Sequence, residues 1–209
     1  RLVGRSLLFT PAADAHGEST LNVTVTDNGG TAHGGVNFLT RAFTLRVVSV
    51  NDEPTFTPGA DVTVAEDAGA VTVERWLTAY SAGAANEQGA QQLTAVFTLS
   101  RSDILVDEPV LDMATGTLRF ETREHAHGTV VVSLRLRDNG GNANGGVADS
   151  AVRTFRIVVT PVNDAPTFVP GSPVLAVSNS VGSYALPWAR NVSAGPGESD
   201  QQVAFEVTT

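Results

Sequence analysis

The phrase VNDEPTF at Val50–Phe56 returns as VNDAPTF at Val162–Phe168, 112 positions later. A second pair of anchors, DNGGTAHGGV from Asp27 and DNGGNANGGV from Asp138, is offset by 111. The AHG triplets at Ala15–Gly17 and Ala126–Gly128, the residues Trp76 and Trp188, and SAG at 81–83 and 193–195 fall into the same frame. Such a period exceeds the roughly 20–50 residues of solenoid units and suits a whole sandwich domain of about 100 residues. The expected division is the latter half of one repeat over 1–54, a complete repeat over 55–166, and the opening of a third over 167–209.

Within the complete repeat, short alternating runs predict strands at 61–65, 70–76, 93–99, 103–106, 116–121, 129–137 and 153–160. In 129–137, Val130, Val132, Leu134 and Leu136 share one face, and in 153–160 Phe155, Ile157 and Val159 point inward. The first repeat offers Leu21, Val23 and Val25, then Phe43, Leu45 and Val47 at the matching inward positions. Seven strands joined by Gly/Asn/Asp turns are the pattern of an all-β, immunoglobulin-like two-sheet sandwich.

Composition narrows the function. Thirteen basic residues, every one Arg, face 22 acids for a net charge of −9, so a nucleic acid backbone is repelled. The absence of cysteine removes disulfides and thiolate metal sites, leaving bound cations as a way to stiffen the protein. No run reaches the roughly 18 apolar residues of a membrane span. The chain opens on Arg1 without a signal-like stretch, as an interior piece of a longer protein would. No nucleophile elbow, zinc-protease motif or phosphate loop occurs, and the Asp107–Glu108 pair sits in a predicted loop, so no enzyme is expected.

Strand order then predicts where the acids fall. Asp138, following the 129–137 strand, and the loop carrying Asn86 and Glu87 come to the side of Asn51–Asp52. Glu124, preceding that strand, the turn acids Glu66 and Asp67, and Glu198 and Asp200 of the third repeat come to the side of Asn163–Asp164. Carboxylates gathered this way repel unless they share a hard cation, and calcium takes six to eight oxygens, so Ca²⁺ is the expected cofactor. Its affinity would be on the order of 10⁻⁴ to 10⁻³ M, as in extracellular modules.

These residues resemble cadherin and the cadherin-like tandem repeats of bacterial and algal surface proteins, which carry VNDAP joints. The resemblance implies calcium-binding roles for Glu66, Glu124, Asp138, Asn163 and Asp164. Departures are visible: Ser49 or Thr160 replaces the leading Asp of the cadherin linker, its closing Asn is missing, and the Asp-x-Asp of the following loop is absent.

Structural readings compete at each position. Asn-Asp before Pro54 or Pro166 also makes an ordinary turn, and DNGG is a common hairpin signal that leaves Asp27 and Asp138 as secondary ligands. His125 and His127 stand as a zinc or copper pair, matched by Asp14 and His16, or as surface histidines. Trp76 and Trp188 are core anchors or a sugar-stacking platform. The sequons at Asn22 and Asn191 are glycan acceptors in a secreted eukaryotic protein, with Asn22 facing outward, or chance.

The expected function is that of a segment of a large extracellular or cell-surface adhesion or structural protein. Its partners are adjacent repeats of the same chain, other copies, or surface proteins and glycans. The alternatives are a surface or ciliary filament subunit held by lateral packing, and a carbohydrate-binding module.

Overall fold

A computed structural model describes residues 2–179 and 182–208. The strands are β1 (Leu2–Val3), β2 (Ser6–Leu7), β3 (Gly17–Thr26), β4 (Phe38–Val47) and β5 (Thr55–Thr57). They continue as β6 (Val62–Ala65), β7 (Ala70–Val73), β8 (Ala79–Ser81), β9 (Thr94–Leu99) and β10 (Val110–Asp112). The last are β11 (Thr117–Glu121), β12 (Gly128–Arg137), β13 (Arg153–Thr160), β14 (Thr167–Val169) and β15 (Arg190–Ser193). Among the described residues the protein is all-β apart from two short 3₁₀ turns, Ala32–Gly34 and Ala143–Gly145. Among the described residues no helix is long and apolar enough to cross a membrane.

The chain divides into two compact units that alternate along the sequence. One comprises Arg1–Phe56, Tyr80–Thr94 and Leu136–Ala151, the other Thr57–Ala79, Ala95–Arg135 and Val152–Thr209.

The second unit holds the sandwich: a three-stranded sheet ordered β10-β11-β7 and a four-stranded sheet ordered β6-β13-β12-β9. Alternation does the sorting. Val130 pairs with Ile157 and Val132 with Phe155, and these four, with Leu134 and Val159, are buried together with Leu118 and Phe120 of the opposite sheet. β6 runs parallel to β13, Val62 opposite Ile157 and Ala65 opposite Thr160. Trp76 is buried with its ring 4.5 Å from Phe155, and its indole N–H donates to the Ala60 carbonyl at 2.9 Å.

Two strand expectations need correction. The run 70–76 is a strand only to Val73, because Arg75 takes a left-handed φ of 52° and turns the chain so that Trp76 enters the core. The run 103–106 is a loop with a single bridge, Leu105 to Thr122. Ile104 and Leu105 are buried, but Arg123 donates its backbone N–H to the Ile104 carbonyl and its Nε to that of Leu105. The edge strand of that sheet is β10, which alternation did not mark.

In the first unit β3 and β4 form a ten-pair hairpin, from Gly17–Val47 to Thr26–Phe38. Leu21, Val23, Leu45 and Val47 are half-buried, whereas Val25 and Phe43, expected inward, are exposed, as is Leu39 opposite Val25. Pro54 is fully buried.

Leu134 has no exposed surface. Leu134→Ala should lower unfolding free energy by about 2–5 kcal/mol, read from the urea midpoint; a loss within about 0.5 kcal/mol, the surface range, would contradict this packing.

Candidate functional site

The two DNGG loops have the same local geometry. The carboxylate of Asp27 accepts the Gly29 N–H at 2.8 Å, and that of Asp138 accepts the Gly140 N–H at 2.8 Å, each closing an Asx turn. Farther along, His33 and Asn144 occupy left-handed backbone at φ 57° and 56°.

Asp138 also carries a side chain from the first VND phrase. Asn51, 9% exposed, donates Nδ2 to both carboxylate oxygens of Asp138 at 3.0 and 3.2 Å and to the Val147 carbonyl at 2.8 Å. Its Oδ1 accepts from Gln91 Nε2 at 2.6 Å, and its backbone carbonyl accepts the Val147 N–H. The glycines make room: a Cβ on Gly140 would lie 1.9 Å from Asn51 Oδ1, and one on Gly146 2.9 Å from Asn51 Cβ. Arg137 and Asp149 join the two ends of the loop by a bidentate pair at 2.7 and 2.8 Å.

The next residue is held by a buried acid. Glu87 accepts the Asp52 N–H at 3.2 Å and the Ala84 N–H at 3.1 Å. Gly83 is required here, since a Cβ would meet Glu87 Oε2 at 2.1 Å. Glu53 accepts the Ala151 N–H at 2.7 Å. The Asp52 carboxylate stays exposed beside a cavity of about 160 Å³ lined by Asp14, His16, Ser49, Val50 and Asn86.

The second phrase is gripped alike. Buried Glu66 accepts the Val162 N–H at 2.7 Å, and its other oxygen lies 3.4 Å from His127 Nδ1. Glu198, 6% exposed, accepts the Asp164 N–H at 2.9 Å, as Glu87 does for Asp52. Here His125 Nδ1 stands 3.0 Å from Asp164 Oδ2 and 3.7 Å from Asp67 Oδ2, while the His125 backbone N–H donates to Asp67 Oδ1 at 2.7 Å.

Of the expected ligands, Asn51, Glu87 and Asp138 thus meet each other's surroundings through N–H donors, and Asp67 and Asp164 converge with His125. Asn163 is exposed and, among the described residues, donates to the Asp164 carbonyl, and Glu124 and Asp200 are exposed and outside the cluster. The acid that reaches the second phrase is Glu198, 111 positions after Glu87, because the stretch after the second SAG is one residue shorter than that after the first. Gln91 carried no sequence signal, whereas the supporting glycines Gly83, Gly140 and Gly146 lie inside the repeated SAG and DNGG stretches. Asn22 is exposed on β3, and Asn191 is exposed at a left-handed φ of 50°. Trp188 repeats the Trp76 bond, donating to the Ser172 carbonyl at 3.0 Å, but is 39% exposed beside Phe168.

No protein-family model matches the chain, and no curated protein sequence matches it significantly. Among solved structures, the human desmocollin-1 ectodomain matches at 15% identity and TM-score 0.40 over 73% of this chain and 29% of that one. Mouse clustered PcdhgC3 EC1-3 matches at 17% identity and TM-score 0.34, over 73% and 45%. Protocadherin gamma C5 EC1-3 matches at 16% and 0.33, over 72% and 46%. The chain spans less than half the length of each of these structures.

Asn51→Ala should cost about 1.5–3 kcal/mol by leaving a buried carboxylate without its amide partner. Gly140→Ala should cost a similar amount by expelling the Asn51 amide, so the double variant should fall short of additivity by about 1 kcal/mol or more. Additive urea midpoints would show the two residues to be uncoupled.

Proposed function

We propose that the chain is a non-enzymatic segment of an extracellular adhesion or structural protein, built of tandem sandwiches with boundaries at 54 and 166 and locked linkers. The observation that carries this reading is the repeated grip. Asp52 and Asp164 each give their backbone N–H to a buried glutamate, Glu87 and Glu198, and each phrase is preceded or met by another buried acid contact, Asn51 to Asp138 and Val162 to Glu66. A linker whose backbone and side chains are bonded into its neighbours transmits force instead of hinging freely.

Calcium supplies the second level of stiffness in this reading. Asp52 beside its cavity places an exposed carboxylate at the first linker and Asp67 places one at the second, whereas the hydrogen-bonded acids hold the backbone that presents them. Asn22 and Asn191, both exposed, fit a glycosylated surface in a secreted protein.

Small-angle scattering of the 209-residue chain tests this. The maximum dimension should lengthen and its distribution narrow between chelator and millimolar calcium, the range of extracellular modules at about 10⁻⁴ to 10⁻³ M. Asp52→Ala should blunt that response. Identical dimensions in calcium and chelator would sink the calcium lock.

A further inference from the structure

The β3–β4 hairpin leaves uncovered what the sandwich buries. The repeated phrases align Val23 and Val25 with Leu134 and Leu136, and Phe43 and Leu45 with Phe155 and Ile157. Strand register keeps that alignment, since Leu21 faces Phe43 as Val132 faces Phe155. Leu136 has no exposed surface and Phe155 3%, whereas Val25 is 66% and Phe43 36% exposed. The flanking strands differ as well. β12 and β13 lie between β9 and β6, but among the described residues β3 and β4 pair with each other alone. Free edges beside an uncovered apolar face are a template for added strands.

Segments matching the absent neighbours occur farther along the sequence. Residues 174–177 align with β6, and 203–207 with 93–97 at the start of β9. Neither segment lies in a strand, and both expose apolar side chains, Val174 at 74% and Val207 at 90%. In the sandwich Val62 lies opposite Ile157 and Val64 opposite Val159. The same register would set Val174 opposite Leu45 and Ala176 opposite Val47. Taken together, 1–54 correspond to 112–166 and 167–209 to 55–99. What lacks a counterpart is 100–111, a loop and the start of the edge strand β10.

We propose that the apolar face and both edges of β3–β4 dock residues 167–209 of a second copy of this chain, completing one sandwich from two parts. Residues 174–177 of the incoming copy add in parallel beside β4, and 203–207 add beside β3. A second copy is the occupant because the chain itself carries segments whose alignment, register and alternation match the open positions. Acceptor and donor are different surfaces, so the contact is heterologous and propagates head to tail into a ring or an open filament. The inference rests on the tandem-repeat reading and goes beyond it by naming a partner.

Sedimentation velocity of the full chain over a series of concentrations tests this. Val25→Glu puts a charge on the acceptor face and Val174→Glu one on the donor segment. Both residues are largely exposed in the single chain, so each variant should keep the urea midpoint of the unmodified protein. The unmodified chain should form species larger than a dimer as concentration rises, and each variant alone should stay monomeric. An equimolar mixture of the two variants should give dimers and nothing larger, because one intact acceptor then meets one intact donor. An unmodified chain that is monomeric throughout, variants that associate as it does, or a mixture that stays monomeric would each overturn the proposal. Scattering of either monomeric variant in calcium and in chelator reads the linkers separately, so an unchanged profile there would defeat the calcium lock and leave the assembly result standing.

Discussion

One amide, that of Asn51, organises the first VND phrase. It reaches a carboxylate, a backbone carbonyl and a glutamine at once, and it does so in a space that two glycines keep open. A carboxamide donates to Asp138 with one atom and accepts from Gln91 with the other, whereas an aspartate at 51 would set like charges together. The phrase VND and the phrase DNGG therefore belong to one device, although 87 residues separate Asn51 from Asp138. That dependence accounts for their joint recurrence in the sequence better than two independent turns would.

The second VND phrase uses the same backbone grip with different chemistry beside it. Glu66 and Glu198 hold Val162 and Asp164 by their N–H groups, and the carboxylates left over face an imidazole. Asp67 and His125 both sit in left-handed backbone, at φ 60° and 55°. Neither is glycine, so the surrounding contacts must hold them there.

Much of this was legible beforehand. Strict alternation in 129–137 and 153–160 predicted the buried faces, and strand order alone brought Asp138 to Asn51 and Glu66 and Asp67 to the second phrase. What stayed hidden was of two kinds. Sequence spacing says which residues approach but not whether an asparagine offers its oxygen or its nitrogen, so Asn51 read as a cation ligand although its amide donates to the acid. Backbone handedness at non-glycine residues is equally invisible, so His125 was paired in the reading with His127, two positions away, instead of with Asp67 and Asp164. Of the two acids expected there, Glu198 and Asp200, the one-residue shortening after SAG makes Glu198 the one that reaches the phrase, and the buried loop Ile104–Leu105 imitated a strand by its apolar content.

The parallel pairing of β6 with β13 has a mechanical corollary. In the second unit the chain leads into the sandwich through β6 and out through β13, and Val62–Ala65 lies alongside Ile157–Thr160 in the same direction. A pull on Asp61 and Pro161 in opposite senses would slide these neighbours past each other, loading the ladder's rungs simultaneously instead of peeling them singly. Rupture would then demand a sudden, concerted slip, the behaviour of a fastener meant to hold under strain.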